Sequence, residues 1–205
     1  MGDKGSSVIH VIGESHCITA ANANVEFMGV SHTMQSNIII GCKAWHLANN
    51  QSNGYKAQFE AIERSIPNDG IVMITIGEID CRLDEGILKF HQQTQNNLVD
   101  SIKDLVQNYT KYIIGKLAGS SRTIIVSGVP CISATRQQKL TKDQMVILST
   151  ILNEFNLSLK AAVINNNLKF LDIYSLTQEN PEAYFIDDHH LTISALIKAM
   201  QTKII

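Results

Sequence analysis

The chain is predicted to be a three-layer α/β/α sandwich built on a flavodoxin-like five-stranded parallel sheet. Three observations lead there: five short apolar runs rich in β-branched residues, helical patterns between them, and polar residues gathered where the runs end. The runs lack strict alternation of apolar and polar residues, as strands do when helices cover both faces of a parallel sheet. Right-handed crossovers then place those helices on both sides.

The first strand is expected over residues 8–12 and leads into the turn Gly13-Glu14-Ser15-His16. The second, over 37–40, is followed by Gly41 and Cys42, and a short helix is expected over 55–66. The third, over 71–76, runs into Gly77-Glu78-Ile79-Asp80. The polar segment 82–95, with Gly86 and His91, reads as a lid, part of an acyl pocket or a solvated loop. A helix over 96–117 carries Leu98, Ile102, Leu105, Tyr109 and Tyr112 at helical spacing, and the fourth strand spans 123–127. The helix over 141–165 sets Met145, Leu148, Leu152, Phe155, Leu159 and Ala162 three and four apart. It opens on Thr141 with Gln144 three residues on, a capping-box pattern that satisfies orphaned backbone donors. The fifth strand covers 168–173, the polar segment holding Asp187, Asp188, His189 and His190 comes after it, and a last helix is expected over 193–203.

The 205 residues contain no linker-like stretch and fit one domain, 1–205, with residues 1–6 expected to be disordered. A composition 44% hydrophobic and 18% charged is that of an ordinary globular protein. The 17 basic and 19 acidic residues are mixed along the chain, which excludes the basic stripe that nucleic-acid binding needs. There is no secretory apolar segment at the start, and no run approaches a membrane span, so a cytoplasmic location is expected. Cys17, Cys42, Cys81 and Cys131 lack C-x-x-C spacing and are expected to be free thiols. Each follows a different strand, which brings a metal cluster to mind, but small buried residues are the preferred reading. No metal or cofactor is expected, and the oligomeric state is not legible.

Ligand sites of parallel sheets form at the carboxyl ends of the strands. Ser15 stands there on a tight strand-to-helix turn. Its hydroxyl needs a base to take its proton, and that base needs a carboxylate to fix its tautomer. Asp187-x-x-His190 holds both residue types. His16 and His189 read as exposed loop histidines without partners, and Trp45 with His46 as packing under a helix or as flanks for a sugar ring.

The blocks Val-Ile-Gly-Glu-Ser-His at 11–16, Ile-Gly-Glu-Ile-Asp-Cys-Arg at 76–82 and Asp-Asp-His-His-Leu at 187–191 resemble, in order and separation, those of the SGNH/GDSL hydrolase family. The resemblance implies a flavodoxin-like sandwich and an acyl-ester hydrolase. It assigns Ser15 as nucleophile, with its own N–H in the oxyanion hole, His190 as general base and Asp187 as its orienting carboxylate. Gly41 is the match for the oxyanion glycine, and Gly77 and Asp80 fall in register with the family's Gly-x-Asn-Asp block.

Two positions depart from the family pattern. Glu14 replaces an aspartate, which keeps the carboxylate and lengthens its reach. Ile79 replaces the asparagine that would donate to the oxyanion, and loss of one such donor typically slows catalysis by about 10²- to 10³-fold. In an extended segment Glu78, Asp80 and Arg82 would share a face, so Arg82 is expected either to bridge to a neighbouring carboxylate or to reach the oxyanion or an anionic substrate group. The expected substrate is a small-molecule or glycan ester. An acylated carbohydrate is preferred because the third block resembles that of family members associated with bacterial polysaccharide gene sets. Acyl transfer to a sugar hydroxyl and non-catalytic ligand binding are the alternatives.

Overall fold

The computed structural model describes residues 7–94 and 96–205; the start expected to be disordered, residues 1–6, lies outside the described residues. Six strands form one sheet in the order β2-β3-β1-β4-β5-β6. They are β1 (Ser7–Gly13), β2 (Asn24–Phe27), β3 (Val30–Ile38), β4 (Ile71–Thr75), β5 (Thr123–Ser127) and β6 (Lys169–Leu171). Every neighbouring pair is parallel except β2 with β3. With β2 set aside the order is that of a flavodoxin-like doubly wound sheet. The expected parallel sheet is therefore present, with a sixth, antiparallel strand added at its edge.

That addition has a local cause. Phe27 pairs with Val30 across a two-residue loop, and Met28 and Gly29 have φ of 53° and 75°, the two positive values a type I′ hairpin turn requires. Val25 and Phe27 are buried while Asn24 and Glu26 face outward, a period of two. The hairpin also extends the second expected strand, which begins at Val30 rather than at residue 37. Ile39 and Ile40 leave the sheet in a turn closed by the Cys42 N–H donating to the Ile39 carbonyl at 3.1 Å. Gly41 sits in that turn at φ 70°, the left-handed position of a type II turn.

The helices are α1 (Ala44–Ala48), α2 (Gly54–Ser65), α3 (Gly86–Thr94), α4 (Leu98–Leu117), α5 (Ala134–Gln137), α6 (Lys142–Asn165), α7 (Ile173–Glu179) and α8 (Ile193–Thr202). A six-residue 3-10 helix, Ser15–Ala20, follows β1 where a first crossover helix was expected. Most of the segment expected to be a lid or loop is the helix α3, whose Ile87 and Leu88 are buried.

Strand side chains alternate between two cores. Ile12, Val72, Ile74, Ile124 and Val126 pack with Leu47, Phe59, Tyr109 and Phe155 from α1, α2, α4 and α6. Ile9, Val11, Met73, Ile125 and Leu171 pack on the other face with Cys17 and Ala20 of the 3-10 helix, Leu176 of α7 and Ala195 of α8. Two covered faces explain why the strands read as continuous apolar runs.

The helix α6 opens on the expected capping box: the Gln144 N–H donates to Thr141 Oγ1 at 3.2 Å and the Thr141 N–H to Gln144 Oε1 at 3.0 Å. Contrary to expectation, its length and composition would suffice to cross a membrane, alone among the described helices. Its Leu148, Ile151, Phe155, Leu159 and Val163 are set into the core. The five parallel strands end at Gly13, Ile38, Thr75, Ser127 and Leu171, so the segments that follow them gather along one edge.

Candidate active site

Ser15 opens the 3-10 helix directly beyond β1, and Glu14 caps that helix by accepting from the His16 N–H at 3.1 Å. On the opposite side the chain folds back between Phe185 and Leu191, which form an isolated bridge, and the Ile186 N–H donates to the His190 carbonyl at 2.8 Å. Within this turn Asp187 Oδ1 accepts from the N–H groups of His189 and His190 at 2.8 and 2.7 Å. Its other oxygen, Oδ2, lies 2.8 Å from His190 Nδ1. His190 Nε2 is 3.0 Å from Ser15 Oγ. The two ends of the chain thus bring Ser15, His190 and Asp187 into one hydrogen-bonded row, the geometry in which a serine proton passes to an imidazole held by a carboxylate. Burial alone would raise the Asp187 carboxyl, but the bonds from His190 and His189 hold it well below the usual carboxylate range.

The third block adopts a compact turn instead of the expected extended segment, because Ile79–Cys81 form a 3-10 helix. Glu78, Asp80 and Arg82 therefore do not share a face. Arg82 makes the expected bridge, with Nε at 2.8 Å and Nη2 at 2.7 Å from Glu78 Oε2. The other Glu78 oxygen lies 2.7 Å from His189 Nδ1 and 3.7 Å from Arg136 Nη1. Asp80 turns toward the start of α1 and accepts from the Ala44 and Trp45 N–H groups at 2.7 and 3.1 Å. It is wholly buried, which pushes its carboxyl up to about 7 against the opposing pull of those two N–H groups and Lys43. Asp80 thereby anchors the segment that follows Gly41. Gly77 lies beside the core, where a Cβ would come within 2.7 Å of Phe155 Cζ. Ile79 is buried at the start of the 3-10 helix.

The sequence reading missed the second layer of this site. His16 is partly buried rather than exposed, and it has partners: Nδ1 lies 2.6 Å from Glu14 Oε1 and Nε2 lies 3.0 Å from the His189 carbonyl. Glu14 Oε2 also accepts from Ser15 Oγ at 2.8 Å. The only signal was the lengthened side chain at position 14, and it carries meaning only once position 189 is known to be near. All four cysteines are free. Burial pushes Cys17 and Cys42 up to about 12 and raises Cys81 and Cys131 as well, so none supplies a thiolate near neutrality. Among the described residues no group of three or more His, Cys, Asp or Glu side chains is placed to hold a metal ion.

The chain shares its fold with several solved structures. An acetylxylan esterase from Geobacillus stearothermophilus superposes with a TM-score of 0.57 at 15% identity, covering 96% of this chain and 94% of that one. A phospholipase A1 from Streptomyces albidoflavus gives 0.55 at 11% identity over 97% of this chain and 100% of that one. A lipase/acylhydrolase from Enterococcus faecalis gives 0.51 at 12% identity over 97% of each. A search of curated proteins returns no match. The model of the GDSL-like Lipase/Acylhydrolase family matches residues 12–200, a span that runs from the end of β1 past the Asp187–His190 turn. The chain belongs to this family of acyl-ester hydrolases.

Proposed function

We propose that the chain hydrolyses an acyl ester through an acyl-serine intermediate, with Ser15 as nucleophile, His190 as general base and Asp187 as its orienting carboxylate. The observation that carries this reading is the row Ser15 Oγ, His190 Nε2, His190 Nδ1, Asp187 Oδ2, with separations of 3.0 and 2.8 Å. His190 Nδ1–H donates to Asp187, which leaves Nε2 free to accept the serine proton as Oγ adds to the ester carbonyl carbon. The carbonyl oxygen takes up the displaced electron pair, with the backbone N–H groups of Ser15 and Gly41 as its donors. Collapse breaks the bond to the alcohol, which leaves with the proton from His190. Water then repeats the sequence on the acyl-enzyme and releases the acid.

The substrate we infer is an acylated carbohydrate. A groove of about 690 Å³ runs past Lys43 and Asp80, and its walls include Trp45, Phe90, Asn50, Gln51, Gln93 and Asn108 beside the charged Lys89 and Asp104. Trp45 and Phe90 are 49% and 44% exposed. Aromatic faces together with amides, which both donate and accept, suit a neutral sugar ring.

A fluorophosphonate probe followed by intact mass measurement tests the chemistry. Labelling of wild type and none of Ser15→Ala is expected. Folded wild type that stays unlabelled from pH 6 to 9 would instead favour a binding protein on the same fold. For the substrate, Trp45→Ala should raise KM more for an acetylated oligosaccharide than for p-nitrophenyl acetate; equal effects would remove the glycan reading.

A further inference from the structure

Ser15 Oγ has two acceptors for one proton: His190 Nε2 at 3.0 Å and Glu14 Oε2 at 2.8 Å. Glu14 is 1% exposed. A bare carboxylate in that position would repel the negative charge that grows on Oγ as its proton leaves, and burial would magnify the effect. The opposing charge comes from His16. Its Nδ1 faces Glu14 Oε1 at 2.6 Å and its Nε2 faces the His189 carbonyl at 3.0 Å. The His189 carbonyl only accepts, and so does an ionised Glu14; with Glu14 ionised both ring nitrogens carry protons and the ring is an imidazolium. Burial alone would lower the His16 pKa, yet the bond and charge of Glu14, the charge of Glu78 and the His189 carbonyl raise it.

We propose that Glu14 and His16 form a fixed ion pair that positions the catalytic serine and clamps its turn to the loop carrying Asp187 and His190. This rests on the reading of Ser15 as nucleophile. Glu14 sets the direction of the Ser15 hydroxyl, and His16 makes the pair electrically neutral. The Nε2 bond to the His189 carbonyl spans 173 positions in sequence and joins the two loops one residue away from each of Ser15 and His190. The bond from Thr19 Oγ1 to the Leu191 carbonyl at 3.2 Å is a second clamp on the same pair of loops. The His16 and His190 rings lie with centroids 5.0 Å apart at 30°, so the cation also stands beside the base.

Both residues are positioning residues, and the test uses the full chain with His16→Phe, Glu14→Gln and the double variant. His16→Phe keeps a flat ring but removes both donors and the charge. A shift of about 1 Å between nucleophile and base typically slows chemistry about 10²-fold, so kcat for p-nitrophenyl acetate should fall by about that factor with KM within about twofold. Glu14→Gln should fall less, and the double variant should be no slower than His16→Phe, because the pair acts as a unit. A kcat for His16→Phe within about threefold of wild type, or losses that multiply in the double variant, would overturn the proposal. Ring nitrogen NMR at pH 7 gives a readout independent of turnover. His16 should carry protons on both nitrogens in wild type and on one in Glu14→Gln, and a neutral His16 in wild type would also overturn the pair. Wild type that neither hydrolyses nor labels removes Ser15 as nucleophile, and hence the positioning role, whatever the NMR shows of the ion pair.

Discussion

Replacing Glu78 by Gln separates a structural carboxylate from one that meets substrate. Glu78 is 6% exposed and holds His189 Nδ1 at 2.7 Å and the Arg82 Nε and Nη2 at 2.8 and 2.7 Å. Burial alone would raise its pKa, but the bonds from His189 and Arg82 and the charges of His16 and Arg82 hold it at about 2 in place of 4.5. That difference corresponds to about 3 kcal/mol of stability at neutral pH. Because the folded value lies below the unfolded one, the contribution is complete above about pH 4.5 and is lost as the pH falls through about 2. Urea unfolding followed by circular dichroism should therefore show Glu78→Gln less stable than wild type by about 3 kcal/mol at pH 7, with Arg82 and Arg136 left near a neutral amide. The two proteins should converge as the pH approaches about 2. A difference under about 1 kcal/mol at pH 7, or one that does not change with pH, would refute this account of Glu78. A raised KM with unchanged stability would mark it as a substrate contact.

Three further outcomes follow from the same geometry. Asp80→Ala frees the Ala44 and Trp45 N–H groups and loosens the segment after Gly41; kcat for p-nitrophenyl acetate should drop by about tenfold or more in the folded variant, and an unchanged kcat would separate this anchor from the oxyanion hole. Gly77→Ala places a Cβ 2.7 Å from Phe155 Cζ at a φ of 143°, so urea unfolding should show a loss of about 2–4 kcal/mol, with wild-type stability as the contrary result. Ile79→Asn returns the family's side-chain donor, so kcat should rise by about tenfold or more, at a stability cost of about 1–3 kcal/mol for burying an amide at a site that is 8% exposed. An unchanged kcat would show that position 79 does not serve the oxyanion.

What was legible in the sequence is what local chemistry determines. The strand over 123–127 coincides with β5, since a short β-branched run covered on both faces has no competing pattern. The capping box at Thr141 formed as read because all its partners lie within one turn. Asp187 and His190 are likewise close in sequence, and three of the bonds that shape their turn stay within residues 187–190. Their meeting with Ser15 spans 175 positions; the rule that sites form at the carboxyl ends of parallel strands brought them to one edge, and the family resemblance assigned their roles. The strand β2 was missed because four residues with two apolar side chains acquire meaning only when paired with β3, and because Met28 takes a left-handed conformation usually left to glycine, asparagine or aspartate. The Glu78–His189 and His16–His189 contacts were missed for a related reason: each loop residue looks unpartnered until segments 111 and 173 positions apart are brought together.

The departures at positions 14 and 79 bear on the same physical problem. Three carboxylates belong to the hydrogen-bonded network around Ser15, the proposed nucleophile, and each faces its own cation or incipient cation: Glu14 with His16, Glu78 with Arg82, and Asp187 with His190 once that ring takes the proton. An oxyanion forming beside unpaired carboxylates in a buried site would be strongly disfavoured. Ile79 supplies no side-chain donor, so the developing charge must rely on backbone N–H groups, and any uncompensated negative charge nearby would weigh more heavily than in a site with a full set of donors. Glu14 stands 2.8 Å from the proposed nucleophile, and its other oxygen is joined to His16. On the proposed reading of Ser15, pairing these three carboxylates is the condition under which an oxyanion hole without the asparagine amide remains usable.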